Sequence, residues 1–294
     1  MNSFPYLFHK TRVFLEMIKF EHSIFALPFA YLGLILAEGG WPRGPIFFWV
    51  TVAMVSFRTM GMSLNRLIDR SIDARNPRTA NRALPAGTLK SSFVWGITLT
   101  AWLLFEWSAY QLNPLCFKLS WIPVALAFLY PWMKRFTWLS HFVLGTILGI
   151  APYGAWLASQ GMFAWTPALL AVGVTAWVAG FDIIYAFQDF EFDRQSHLYS
   201  LPARFGIPLS LKVTQILHGV AVVAWFSAGM MVQMGWIYLG GLVFVAFCLI
   251  RESRLMAAHG LNKIQEAFFQ MNVLVSLSLF LAVVCDVWVR RFFS

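Results

Sequence analysis

The sequence predicts an all-α fold, a polytopic membrane bundle of about nine transmembrane helices, on three observations. Hydrophobic residues make up 59% of the 294 and charged ones only 12%, about half the roughly 25% charged typical of soluble domains. Apolar runs long enough to cross a bilayer recur from one end of the chain to the other. Acidic residues are rare, and nearly half of them sit in two short clusters. A soluble chain of this composition would leave too much apolar surface in water. One membrane domain covering 1–294 is expected, with no appended soluble module.

The elements follow in order. Residues 1–20 mix His9, Lys10, Arg12, Glu16 and Lys19 among apolar residues. They lack the uniform apolar core of a signal peptide and read as an amphipathic segment lying at the membrane interface. Nine runs of span length come next, at 22–38, 46–68, 92–111, 114–132, 138–158, 165–187, 209–232, 235–251 and 268–288. Pro28, Pro123 and Pro152 fall inside spans, where neighbouring helices can satisfy the freed backbone groups. Gly145 and Gly149 are spaced for close helix packing. Cys116, Cys248 and Cys285 all lie in apolar segments, with neither zinc spacing nor a disulfide framework.

The basic residues set the expected orientation. With the N-terminus inside, the inner segments hold 17 of the 22 lysines and arginines; the reverse orientation inverts the positive-inside rule. The C-terminus is then outside. The connections after the second and sixth spans, long and charged, face the cytoplasm, and a bacterial cytoplasmic (inner) membrane is the expected location. The net charge of +9 is spread between apolar runs rather than along one polar face, which argues against a nucleic-acid partner and for the lipid bilayer.

Six of the thirteen acidic residues fall in the two clusters. The first contains Asn65, Asp69 and Asp73, spaced by four, which form one stripe if the helix continues. In the second, Asp182, Asp189 and Asp193 follow at seven and four, with Tyr185 beside them. Each cluster ends an apolar span, the second and the sixth. Carboxylates without histidine or thiolate neighbours suit a hard divalent cation, and magnesium binds through one or two carboxylates, water and phosphate oxygens. The competing reading, ordinary helix-end charges at a membrane surface, does not explain two matched ladders in a chain otherwise so poor in acids.

A basic run, Ala74 to Gly87, follows the first ladder and carries Arg75, Arg78 and Arg82. Guanidinium groups beside a carboxylate–magnesium site neutralise a diphosphate with bidentate hydrogen bonds. Some of these arginines also serve as positive-inside signals. Arg70, adjacent to Asp69, reads as functional. Arg58 lies within the second span, two turns before Asn65, so its charge is expected to face the bundle interior.

At these residues the sequence resembles the UbiA superfamily of intramembrane prenyltransferases. Asn65, Asp69 and Asp73 match the family's first ladder, and Asp182, Tyr185, Asp189 and Asp193 match its second. Arg78 to Gly87 and Tyr130 to Thr137 look like the quinone-pathway branch, and the likeness covers nearly the whole chain. Within the family it is most similar to the 4-hydroxybenzoate polyprenyltransferase group. The first span departs from that group: Lys19 to Pro28 stands where an Arg-x-Asp-Lys-Pro-like start is common. That stretch is similar to a UbiA-like subgroup of the futalosine route to menaquinone, whose acceptor is a dihydroxynaphthoate.

The resemblance implies magnesium-dependent transfer of a polyprenyl group from an isoprenyl diphosphate to an aromatic acid of the 4-hydroxybenzoate type, in respiratory quinone biosynthesis. The alternative acceptor is 1,4-dihydroxy-6-naphthoate. Two Mg2+ ions are expected, one held by Asn65, Asp69 and Asp73, the other by Asp189 and Asp193. Arg70, Lys134 and Arg135, with Arg78 and Arg82, would take the diphosphate oxygens. Asp182 and Tyr185 would shape the site. Arg58, Lys19 or His22 would meet an acceptor carboxylate. A transporter or ion channel is the rival class, since acids in a bundle also mark ion paths. It predicts polar residues continuing across the bilayer, whereas these acids crowd toward one face.

Overall fold

A computed structural model of the protein describes residues 3–19, 23–260, 264 and 266–293. His22 and Lys263 lie outside them, and with His22 part of the unusual start of the first span. Among the described residues the regular secondary structure is all helical, with no strand.

Helix α1 (Ser3–Met17) is amphipathic in the way its mixed sequence requires. It buries Phe14 and Met17, with Ile18 just beyond, against Leu84, Leu89 and Val94. Each such side chain removed from water contributes about 1.5–3 kcal/mol. The membrane helices are α2 (Ser23–Glu38) and α3 (Gly44–Ile68), a single turn α4 (Arg70–Asp73), and α5 (Ser91–Leu112). Then come the short α6 (Pro114–Leu119), running into α7 (Trp121–Met133), and α8 (Ser140–Gln160) and α9 (Trp165–Ala186). Two short helices, α10 (Phe190–Gln195) and α11 (Leu201–Phe205), precede α12 (Ile207–Met231), α13 (Trp236–His259) and α14 (Asn272–Phe293).

Each of the nine expected runs is helical, but seven helical segments are long and apolar enough to cross a membrane. The two others are α2, which is only 16 residues long, and α5, whose threonines, tryptophans and Glu106 make it the more polar. Glu106 is buried; it accepts from Ser120 Oγ at 2.6 Å and Trp102 Nε1 at 3.3 Å, tying α5 to the start of α7.

Helix α9 is the most buried span and packs between α8 and α12. Close approach explains the α8–α9 contact. A Cβ at Gly145 would strike the Thr175 carbonyl oxygen, and one at Gly149 the Thr175 hydroxyl. Without lipid-excluded water to drive association, such backbone proximity supplies much of the packing energy in a bilayer. α3 packs on α5 and α7, α2 on α8, and α14 on α13 and α2. Trp177 and Trp225, both fully buried, fill the centre of the α9–α12–α14 half. The other half, around α3, α5, α7 and α8, is left hollow.

Candidate active site

The hollow is a cavity of about 910 Å³, polar at the end where α3 and α9 stop and apolar beyond. The first ladder reaches it through a break in the helix. α3 ends at Ile68, Asp69 takes φ −85° and ψ 2°, and α4 restarts at once. The four-residue repeat survives, because the Asp69 N–H bonds the Asn65 carbonyl at 3.0 Å and the Asp73 N–H bonds that of Asp69 at 2.8 Å. Asn65, Asp69 and Asp73 therefore all face the cavity.

The second ladder bends too. α9 gives way to a 3-10 turn, Phe187–Asp189, before α10. Asp182, Tyr185, Asp189 and Asp193 nevertheless line the same cavity.

The basic loop after α4 joins the ladders. Leu84 and Leu89 anchor it beneath α1, and Thr79 Oγ1 donates to the Asp73 carbonyl at 2.9 Å. Arg82 then meets both Asp73 oxygens at 2.9 Å. Arg78 crosses to Asp189, with Nε to Oδ1 at 2.9 Å and Nη2 to Oδ2 at 2.5 Å. Its Nη1 donates to the Tyr185 hydroxyl at 3.2 Å, and Asn76 adds a 2.8 Å bond to Asp189. From the end of α7, Lys134 Nζ approaches Asp69 Oδ2 at 2.8 Å. Arg135 lies 3.7 Å from Asp69 Oδ1 and donates to the Ile68 carbonyl at 2.9 Å.

Asp69 and Arg78 both carry shifted proton affinities. Burial pushes the Asp69 carboxyl up, and the Lys134 ammonium only partly offsets it. Burial alone would lower the Arg78 guanidinium, but its bonds to Asp189 outweigh that and raise it, so Arg78 stays charged at any physiological pH.

The remaining expected residues divide. Arg58 faces the cavity from within α3, and its Nη2 donates to the Lys19 carbonyl at 3.0 Å. Lys19 also lines the cavity. Arg70 does not: its guanidinium turns away to Ser91 Oγ at 3.1 Å. Adjacent helical positions point in directions far apart, so a place beside Asp69 in sequence is not one beside it in space. Several cavity residues carried no expectation. Arg66 donates to the Met17 carbonyl at 3.2 Å and to Asn65 Oδ1 at 3.3 Å. Asn76 reaches Asp189, Tyr130 lines the wall, and His141 on α8 bonds Asp182 at 2.7 Å. Arg66 and Asn76 stand inside or beside the motifs already singled out. Nothing local marks His141, a lone histidine in an apolar run.

No three acidic, histidine or cysteine side chains among the described residues cluster closely enough to hold a metal by themselves. Asp69, Asp73 and Asp189 are instead paired with Lys134, Arg82 and Arg78. That arrangement still fits magnesium, which needs only one or two carboxylates when water and phosphate oxygens complete its shell. The donors are all oxygen, and Asp69 Oδ1 is buried without a hydrogen bond.

The apolar arm runs between α3, α5, α7 and α8, past Met54, Phe57, Phe105, Leu144 and Leu148. From Asn65 to Val50, both on the wall, it follows α3 for roughly 22 Å at 1.5 Å per residue.

Fold and site thus define a polytopic helical membrane protein with paired acidic ladders at the mouth of an apolar channel. The profile of the UbiA prenyltransferase family matches residues 26–274, and the chain belongs to that family. It is a prenyltransferase, and family membership sets the transporter class aside. A curated relative, 4-hydroxybenzoate octaprenyltransferase of Vibrio campbellii, is 26% identical over 266 residues, covering 90% of this chain and 93% of its own. The apo structure of a UbiA homologue from Aeropyrum pernix K1 superposes with a TM-score of 0.83 at 30% identity, over 90% of this chain and 98% of that one. A UbiA homologue from Archaeoglobus fulgidus, solved with DMAPP and Mg2+, shares the fold with a TM-score of 0.66 at 18% identity, over 92% of this chain and 99% of that one.

Proposed function

We propose that the protein transfers a polyprenyl group from an isoprenyl diphosphate to an aromatic acid of the 4-hydroxybenzoate type, with Mg2+, in respiratory quinone biosynthesis. The observation that carries this reading is that Arg78–Asp189 ties the loop after the first ladder to the second, with Lys134 on Asp69, around one cavity from which an apolar arm leads away. Such a site suits a ligand with an anionic head and a long apolar tail. The name of the Vibrio relative supports the acceptor.

Asn65, Asp69 and Asp73 on one side, and Asp189 and Asp193 on the other, would hold two Mg2+ ions. Bound there, the metal supplies a Lewis acid for the charge that grows on the leaving diphosphate. Arg78, Arg82, Lys134 and Arg135 exchange their carboxylate partners for phosphate oxygens, keeping every charge in the buried mouth compensated. The apolar arm orders the tail and keeps water from the allyl cation, and Phe57 and Phe105 offer ring faces to it. Arg58, inside α3, binds the acceptor carboxylate. The ladder end faces the cytoplasm, where the acid arrives and the diphosphate head of the membrane-dissolved donor lies.

The test is a product assay. Purified protein receives geranyl diphosphate, Mg2+ and either 4-hydroxybenzoate or 1,4-dihydroxy-6-naphthoate, and products are weighed by mass spectrometry. Prenylated 4-hydroxybenzoate is expected. Product from the naphthoate alone would move the enzyme to menaquinone synthesis and make Lys19 to Pro28 the seat of acceptor choice.

A further inference from the structure

We propose that Asp182 takes the ring proton from the acceptor and that His141 is its positioning residue. The proposal rests on the aromatic acceptor argued above and extends it to the step after carbon–carbon bond formation.

The ladder carboxylates are not equivalent. Asp69, Asp73 and Asp189 each hold a lysine or arginine within 2.9 Å. Asp182 holds an imidazole: His141 Nδ1 lies 2.7 Å from its Oδ2. His141 sits in the first turn of α8 and is only 3% exposed. Its other nitrogen, Nε2, accepts the Leu201 backbone N–H at 3.3 Å, where α11 begins. An imidazole nitrogen that accepts from a main-chain N–H carries no proton, so the proton is on Nδ1 and points at Asp182. A second bond that fixes the tautomer and the ring plane is how histidine orients a neighbouring functional group. Asp182 is thereby held by one oxygen, and among the described residues no protein donor occupies the other.

Its depth suits the role. Asp182 lies seven residues before Asp189, roughly 10 Å further into the bundle, where the polar mouth meets the apolar arm. An allylic diphosphate seated with its head at the ladders and its tail in the arm places the breaking C–O bond at that boundary. There the C–O bond breaks, and its electron pair leaves on the diphosphate. The acceptor ring carbon, electron-rich beside the hydroxyl, forms the new bond to the allyl carbon. The C–H on that ring carbon then gives its proton to Asp182, and the C–H pair restores the aromatic ring. Water carries the proton away from the carboxyl as product leaves.

The experiment is a ring-deuterium isotope effect. Wild type, Asp182→Asn, His141→Leu and His141→Asn are assayed with geranyl diphosphate, saturating Mg2+, and acceptor either protiated or deuterated at the reacting carbon. In Asp182→Asn and His141→Leu, kcat is expected to fall by roughly 10²–10⁴, the usual worth of a positioned base, with KM for the diphosphate little changed. Deprotonation then limits turnover, so a primary isotope effect appears that wild type lacks. His141→Asn, whose amide can donate to Asp182 as Nδ1 does, is expected to recover most of the rate and lose the isotope effect. The proposal is overturned if either crippled variant shows no isotope effect, or if the whole loss is in KM. Wild-type turnover in the same assay reports separately on the acceptor; if the naphthoate is the substrate, the same label on that ring decides the point.

Discussion

Arg78 and Asp189 are 111 positions apart in sequence, yet the guanidinium meets both carboxylate oxygens, at 2.9 and 2.5 Å. This contact lies at the polar mouth of the cavity. It brings the loop after the first ladder onto the second, so one residue senses both halves of the site. Lysine cannot reproduce it, being a point charge without the planar fork.

When the diphosphate takes the place of Asp189, Arg78→Lys is therefore expected to lose one of the paired charge-assisted bonds that the fork makes to phosphate oxygens. A loss of about 1.5–3 kcal/mol corresponds to roughly a ten- to hundredfold drop in kcat/KM for the prenyl diphosphate. Steady-state kinetics at saturating acceptor measure it. An unchanged value would remove Arg78 from diphosphate binding.

Asp69→Asn and Asp189→Asn are expected to abolish transfer and leave a folded, monodisperse protein in detergent. Chelation of divalent cations should stop wild-type turnover, and added Mg2+ should restore it. Near-normal activity in both variants would refute the metal assignment.

Arg70 provides the opposite control. Its guanidinium rests on Ser91 outside the cavity, so Arg70→Ala should keep near-wild-type kcat/KM. Arg82→Ala, which strands the buried Asp73 carboxylate, should not. Equal losses in the two would mean that Arg70 swings inward during turnover.

The apolar arm can be shortened at Gly154, which lines it and has nothing within 4 Å of where a Cβ would stand. Gly154→Leu should cost little stability. It is expected to depress turnover of long-chain diphosphates while sparing geranyl diphosphate. A uniform effect across chain lengths would place the tail elsewhere.

Much of this was legible in the sequence, and the reason is locality. Apolar runs report spans directly, and a four-residue repeat reports one helical face, so both ladders could be read from spacing alone even though each helix breaks within its ladder. Arg78 and Arg82 stood out as charges in a loop next to acids. The misplacement of Arg70 has the same origin, since adjacency in sequence says nothing about direction around a helix axis. His141 and Asn76 were invisible because their partners lie 41 and 113 residues away, and only the packing of α8 on α9 and the fold-back of the basic loop bring them together. The count of nine exceeds the seven long apolar segments partly at α5, whose buried Glu106 is partnered by Trp102 one turn back and by Ser120 at the start of α7.

Helix α1 is held by residues that come after it. Arg66 and Arg58 take the carbonyls of Met17 and Lys19, and Leu84, Leu89 and Val94 cover its apolar face. The ribosome therefore makes α1 before the residues that seat it. Until Leu84 to Val94 have been synthesised, α1 lacks that apolar surface and has only lipid headgroups to shelter its apolar side. Nascent chains stalled short of Val94 should leave α1 open to protease, and those stalled well beyond it should not.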